Sequence, residues 1–205
     1  MTQEEKRHLL KIDICGRLPY GMKFYDETYL DTPKIEAYCS NDYAEWASGE
    51  IGGFSTIGRI FVPLGDAPLL RPIEDLCSEI THAGYNDGQP FVPIVECAKI
   101  SQQIFEEYTL SKDDWGDVDM PDFGMQYNLK YIVEASNMGN LEYQFSYWTG
   151  LRRFSLIDIT RNISLALTYE VDLFDLMNRL MIDYRGLIPA GLAKSVHDLD
   201  KNPYE

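Results

Sequence analysis

A chain of 205 residues, 45% hydrophobic and 13% aromatic, has the length and composition to build a real core, which argues against a disordered protein. Its 33 acidic and 18 basic residues leave a formal charge of −15. That excludes charge-driven binding to nucleic acid or to an anionic membrane surface, and makes a basic protein the charge-matched partner.

In chain order, Met1–Lys11 is polar and charged, without the apolar stretch of a secretory signal, and no apolar run approaches the roughly 20 residues that span a bilayer. A cytoplasmic location is therefore expected, with Cys15, Cys39, Cys77 and Cys97, which never form CxxC, as reduced and mostly buried thiols. Thr2 and Glu5 have capping-box spacing ahead of an apolar side that includes Leu9 and Ile12, so a short helix is expected, with Gly16 available to end it. Leu18-Pro19-Tyr20-Gly21 then forces a turn. Met22–Leu30, Pro33–Ser40 and Phe54–Pro63 read as strands rich in Tyr, Phe and Ile, separated by Asn41-Asp42 and Gly49–Gly53.

Pro72 suits the first turn of a short helix over Ile73–Thr81. Phe91–Tyr108 has rough helical spacing, with Pro93 tolerated in the first turn. Ser111–Gly124 reads as a loop, and from Glu106 to Asp122 seven acids stand against Lys112 alone. Tyr127–Ala135, Leu141–Trp148 and Arg153–Ile159 then read as a second meander. In it Leu141, Tyr143, Phe145 and Tyr147 alternate with Glu142, Gln144 and Ser146, the pattern of a half-buried strand.

The strongest periodicity lies in Tyr169–Val196. Leu173, Phe174, Leu176, Met177, Leu180, Met181 and Tyr184 fall within an apolar arc of roughly 160°, which predicts a C-terminal amphipathic helix over Asp172–Arg185. Gly186 is expected at its left-handed C′ position, with Ile182 and Leu187 as the apolar pair of a Schellman ending. The expected fold is α+β: two small antiparallel β-meanders, with a partly open barrel as an alternative closure, packed with a few helices. Residues 1–205 are expected as a single compact unit, its natural subdivision being 1–110 and 125–205 around an acidic loop at 111–124.

Candidate chemistry is sparse. The acidic loop has neither the glycine nor the bidentate glutamate of an EF-hand in register, so no metal site is expected there. Asp113, Asp114, Asp117 and Asp119 instead make it a candidate protein-recognition surface. His8, His82 and His197 are scattered along the chain, and no nucleophile elbow or phosphate-binding loop accompanies Gly49, Gly52 and Gly53. No catalytic residue or cofactor is expected. Arg152, Arg153 and Arg161, with Trp148 nearby, form the one basic spot and are the candidate residues for an anionic ligand.

Three segments in order, Leu10–Gly21 (LKIDICGRLPYG), Leu69–Asp75 (LLRPIED) and Ile182–Ala193 (IDYRGLIPAGLA), resemble an uncharacterised family of small proteins from gut anaerobic bacteria and their phages. Phe91–Ala98 (FVPIVECA) is similar to a segment of some longer relatives. The resemblance implies a phage or mobile-element setting and carries no activity. The family commonly has histidines just before the D-[FY]-R-G element, where this chain has Leu180 and Met181, so imidazole chemistry is not expected there. Composition and resemblance together lead to a non-enzymatic binding or accessory protein, the alternative being an enzyme or small-ligand binder at an unrecognised site.

Overall fold

The computed structural model describes residues 2–25, 53–54, 60–61, 67–115, 122–135 and 139–205. The expected strand Pro33–Ser40, most of Met22–Leu30 and Phe54–Pro63, the turn at Asn41-Asp42, and Gly49, Gly52 and Cys39 lie outside these residues, as do Asp117 and Asp119. Helix α1 spans Gln3–Arg17. Strands β1 (Phe24–Tyr25), β2 (Gly53–Phe54), β3 (Ile60–Phe61) and β4 (Ala67–Leu70) follow. Helix α2 covers Pro93–Ile100 and precedes β5 (Tyr108–Asp114), β6 (Met125–Ala135), β7 (Gly139–Trp148), β8 (Arg153–Asp158) and β9 (Ile163–Leu165). Helix α3 is Glu170–Arg179 and β10 is Lys194–Ser195. The fold is α+β.

Two compact units divide the chain: Met1–Pro72 with Asn178–Tyr204, and Ile73–Met177 with the terminal Glu205. The division does not follow the acidic segment, because β5 lies inside that segment and pairs along its whole length with β6, which follows it.

In the first unit the capping box forms. The Thr2 backbone N–H donates to Glu5 Oε2 at 2.6 Å and the Glu5 N–H to Thr2 Oγ1 at 3.2 Å. Helix α1 runs through Gly16 rather than ending there. The accompanying sheet is not a meander of neighbouring strands. Its order is β1-β4-β10, with β4 antiparallel to β1 and parallel to β10, so its third strand comes from the far end of the chain. Ile14, Met22, Leu69, Leu70, Met181, Leu187, Val196 and Tyr204 form the core around it.

The second unit is built on a five-stranded antiparallel meander in the order β5-β6-β7-β8-β9. Residues opposite one another in the register share a face. One face carries the buried residues Tyr127, Leu129, Tyr131, Leu141, Phe145, Tyr147, Phe154 and Leu156. Phe154 meets Phe174 of α3 edge-on at 5.4 Å, and α2 lies against β6.

The expected helix over Phe91–Tyr108 stops early. Gln102 takes φ +61°, its N–H donates to Lys99 O at 2.9 Å, and the Gln103 N–H donates to Ala98 O at 3.0 Å. Those two bonds make a Schellman ending with glutamine in the place usually taken by glycine. Strand β5 follows, where the sequence predicts helix and loop.

The C-terminal helix is likewise shorter than expected. It ends at Arg179, and Met181, at φ +59°, occupies the left-handed position predicted for Gly186. The cause is tertiary. The Arg71 N–H donates to Met181 O and the Asp183 N–H to Arg71 O, both at 2.8 Å, so the backbone at 181–183 is committed to pairing beside β4 and cannot continue a helix. Gly186 does have positive φ, +75°, but in a turn that Asp183 caps by accepting from the Leu187 and Ile188 N–H groups, each at 2.8 Å. Burial raises the Asp183 carboxyl above the usual aspartate range, opposed by those two N–H groups and by Arg17. A Cβ at Gly186 would meet only Pro189 Cγ at 3.7 Å, so its cost is conformational. Gly186→Ala should lose about 1 kcal/mol in urea unfolding, and an unchanged midpoint would contradict that account.

Cys15 is exposed, Cys77 half-buried and Cys97 buried, all as free thiols. Burial pushes the Cys77 thiol up to about 12 and raises Cys97 further, with Glu96 adding to the effect. Since the thiolate is the reactive species, a disulfide-exchange reagent at neutral pH should label Cys15 rapidly. Cys77 and Cys97 should react only slowly until the protein is denatured. Fast labelling of Cys77 in the native protein would overturn this ordering.

Candidate protein-recognition site

The expected basic spot does not assemble as one site. Arg152 lies in the β7–β8 turn at φ +49° and Arg153 begins β8, whereas Arg161 follows the other end of that strand and pairs with Asp158 at 3.5 Å. Trp148 and Arg153 are register partners. The Trp148 indole N–H donates to Ser155 Oγ at 2.9 Å, and its ring contacts Trp115 and Phe123 at centroid distances of 5.9 and 5.5 Å. Gly150 allows the neighbouring loop to sit close, since a Cβ there would collide with the Asp122 carbonyl and stand 2.7 Å from the Phe123 carbonyl carbon.

The second face of the meander is polar, as the alternation in β7 predicts, yet part of it is buried. Gln126, Asn128 and Ser146 are all under 4% exposed. They are joined in a satisfied row. Trp115 Nε1 donates to Gln126 Oε1 at 2.9 Å, Gln126 Nε2 to Ser146 Oγ at 3.1 Å, and Ser146 Oγ to Asn128 Oδ1 at 2.7 Å. Asn128 Nδ2 in turn donates to Asp113 Oδ2 at 2.8 Å. Asp113 is therefore tied into the sheet, while Asp114 is exposed at the end of β5.

Of the three segments that carry the family resemblance, Leu10–Gly21 and Ile182–Ala193 lie in the first unit, as do Leu69–Pro72 of the remaining one. The Arg17 guanidinium, wholly buried, donates twice to the Asp13 carboxylate at 2.7 and 2.9 Å and once to Ile182 O at 2.8 Å. Arg185 approaches the same carboxylate at 3.3 Å and donates to Tyr184 Oη at 2.6 Å. With the Arg71 backbone paired to Met181 and Asp183, these motif residues help build this unit.

A different feature stands out at the start of β5. Strand β6 pairs with β7 as far as Ala135, but with β5 only as far as Tyr131, opposite Tyr108. Beyond that point the chain departs. Tyr131 Oη donates to Gln103 Oε1 at 2.6 Å, and Phe105 packs on the Tyr131 ring at 4.8 Å, which holds Gln103 and Phe105 against the aromatic face. The outer edge of Ile132–Ala135 consequently has no strand partner among the described residues. An open groove of about 840 Å³ occupies this place. Ile104, Ile132 and Tyr108 line it and are 84%, 57% and 41% exposed. Glu106, Glu107, Glu134 and Glu142 rim it against Lys130. Glu106 and Glu107 belong to the acidic stretch evident in the sequence, whereas only the folded chain brings Glu134, Glu142 and the apolar floor beside them.

Among the described residues no group of three or more His, Cys, Asp or Glu is placed to hold a metal ion, and no helix is long and apolar enough to cross a membrane. Neither protein-family models, nor curated proteins, nor solved structures give a match to this chain.

Proposed function

We propose that this is a non-enzymatic binding protein whose acidic groove recognises a basic segment of a protein partner, in the phage or mobile-element setting that the family resemblance implies. The observation that carries the reading is the exposure of Ile104, Ile132 and Tyr108 inside a rim of four glutamates. Clustered exposed apolar side chains with a polar rim are the usual anatomy of a protein contact. The rim sets the partner's charge, and complementary charge speeds association more than it tightens binding. The test replaces Glu106, Glu107, Glu134 and Glu142 by Gln and, separately, Ile132 by Ser. Association with an alternating lysine–valine peptide should slow in the first variant and become less salt-sensitive. The second should dissociate faster. Equal kinetics in wild type and both variants would remove the groove from consideration.

A further inference from the structure

We infer that the groove takes its basic partner as an added β-strand, hydrogen-bonded to the outer edge of Ile132–Ala135, which has no strand partner among the described residues, in the position beyond the start of β5. This rests on the reading of the groove as a protein-recognition site and specifies its mode. The first support is the register. Strand β6 continues for four residues, Ile132 to Ala135, past its last partner in β5, while its other edge remains paired with Gly139–Glu142. Every second residue of such a stretch directs its N–H and C=O outward, where another strand is the natural partner.

The second support is the lining. Residues opposite in register share a face, so Lys130, Ile132 and Glu142 belong to the polar face, while Tyr131 and Val133 belong to the aromatic one. Residues of both faces line the same groove. A cavity on a sheet surface would be lined from one face. A slot beside a strand, where a neighbour is missing, is lined from both.

Charge then selects the occupant. An acidic edge repels a second copy of itself, so the glutamates that oppose edge-to-edge self-association leave a basic strand as the matching partner. Alternation in that strand would send lysine or arginine side chains towards Glu134 and Glu142 and apolar ones towards Ile104 and Tyr108. Recognition by strand addition has this division of labour, main chain for affinity and alternate side chains for specificity.

The experiment uses the full chain and four peptides: an alternating lysine–valine peptide, the same peptide N-methylated at alternate backbone nitrogens in each of the two phases, and a lysine–leucine helical peptide of equal charge. The first should bind, and one N-methylated phase should bind at least about tenfold more weakly, equivalent to ~1.4 kcal/mol. Amide exchange of the outward-facing N–H groups in Ile132–Ala135 should slow on binding. If both N-methylated peptides and the helical one bind as well as the parent, with exchange at 132–135 unchanged, strand addition is overturned. The groove reading then still stands if the glutamine variant loses binding. If none of the peptides binds at low ionic strength, both are overturned together.

Discussion

Replacing Arg17 by Met should destabilise the protein by about 3–5 kcal/mol, because it strands a buried carboxylate. Asp13 and Arg17 have fully buried side chains, four residues apart on α1. Arg17 supplies two hydrogen bonds to that carboxylate and one to the Ile182 carbonyl, and its guanidinium lies 5.3 Å from the centre of the Tyr184 ring. Methionine fills most of the volume and satisfies none of these acceptors. Arg185, at 3.3 Å from Asp13, is a second cation on that carboxylate and comes from a different segment. The double variant Asp13→Leu with Arg17→Met should lose less than the sum of the single changes, since removing both members of the buried pair leaves only the part-exposed Arg185 without its carboxylate. Urea unfolding of the four proteins in the cycle measures this directly. A loss below about 1 kcal/mol for Arg17→Met would mean that water or another group reaches Asp13, contrary to the packing described.

Leu176→Ala and Leu180→Ala should each cost about 2–5 kcal/mol through lost burial and the cavity left behind. Leu176 is 5% exposed and Leu180 is fully buried. Leu176 belongs to the inner side of α3 with Leu173 and Met177. Leu180 lies just past the helix, so its burial does not depend on the longer helix that the periodicity predicts. Val171, 82% exposed on the first turn, is the matched control, and Val171→Ala should change stability by less than about 0.5 kcal/mol. Losses under about 0.5 kcal/mol at both leucines would mean that the apolar arc is not the core face.

The residues that were legible in advance are those whose partners lie a few positions away. Thr2 and Glu5 satisfy each other across one helical turn, Pro93 opens α2, and the apolar–polar alternation of β7 follows from a strand with one face on the core. The positive φ of Gly186 was legible too, although its place in a turn rather than at a helix end was not. Strand β5 gave no such signal. Six of its seven residues are exposed, and an edge strand with solvent on both faces has no reason to alternate.

The sequence by itself therefore determined the α+β class, the buried positions Leu173, Leu176 and Met177 of α3, three central strands of the meander and the excess of acid, because each is a local pattern or a sum over composition. Only the tertiary structure decided where α3 stops, since Met181 enters the left-handed region to let residues 181–183 pair with Arg71, a partner more than a hundred residues earlier. It also decided that both chain ends share one sheet through β4. The groove beside Ile132–Ala135, an edge with no strand partner among the described residues, is of the same kind. Gln103 and Phe105 are held on Tyr131 there, and such contacts are relations between distant segments that no single segment encodes.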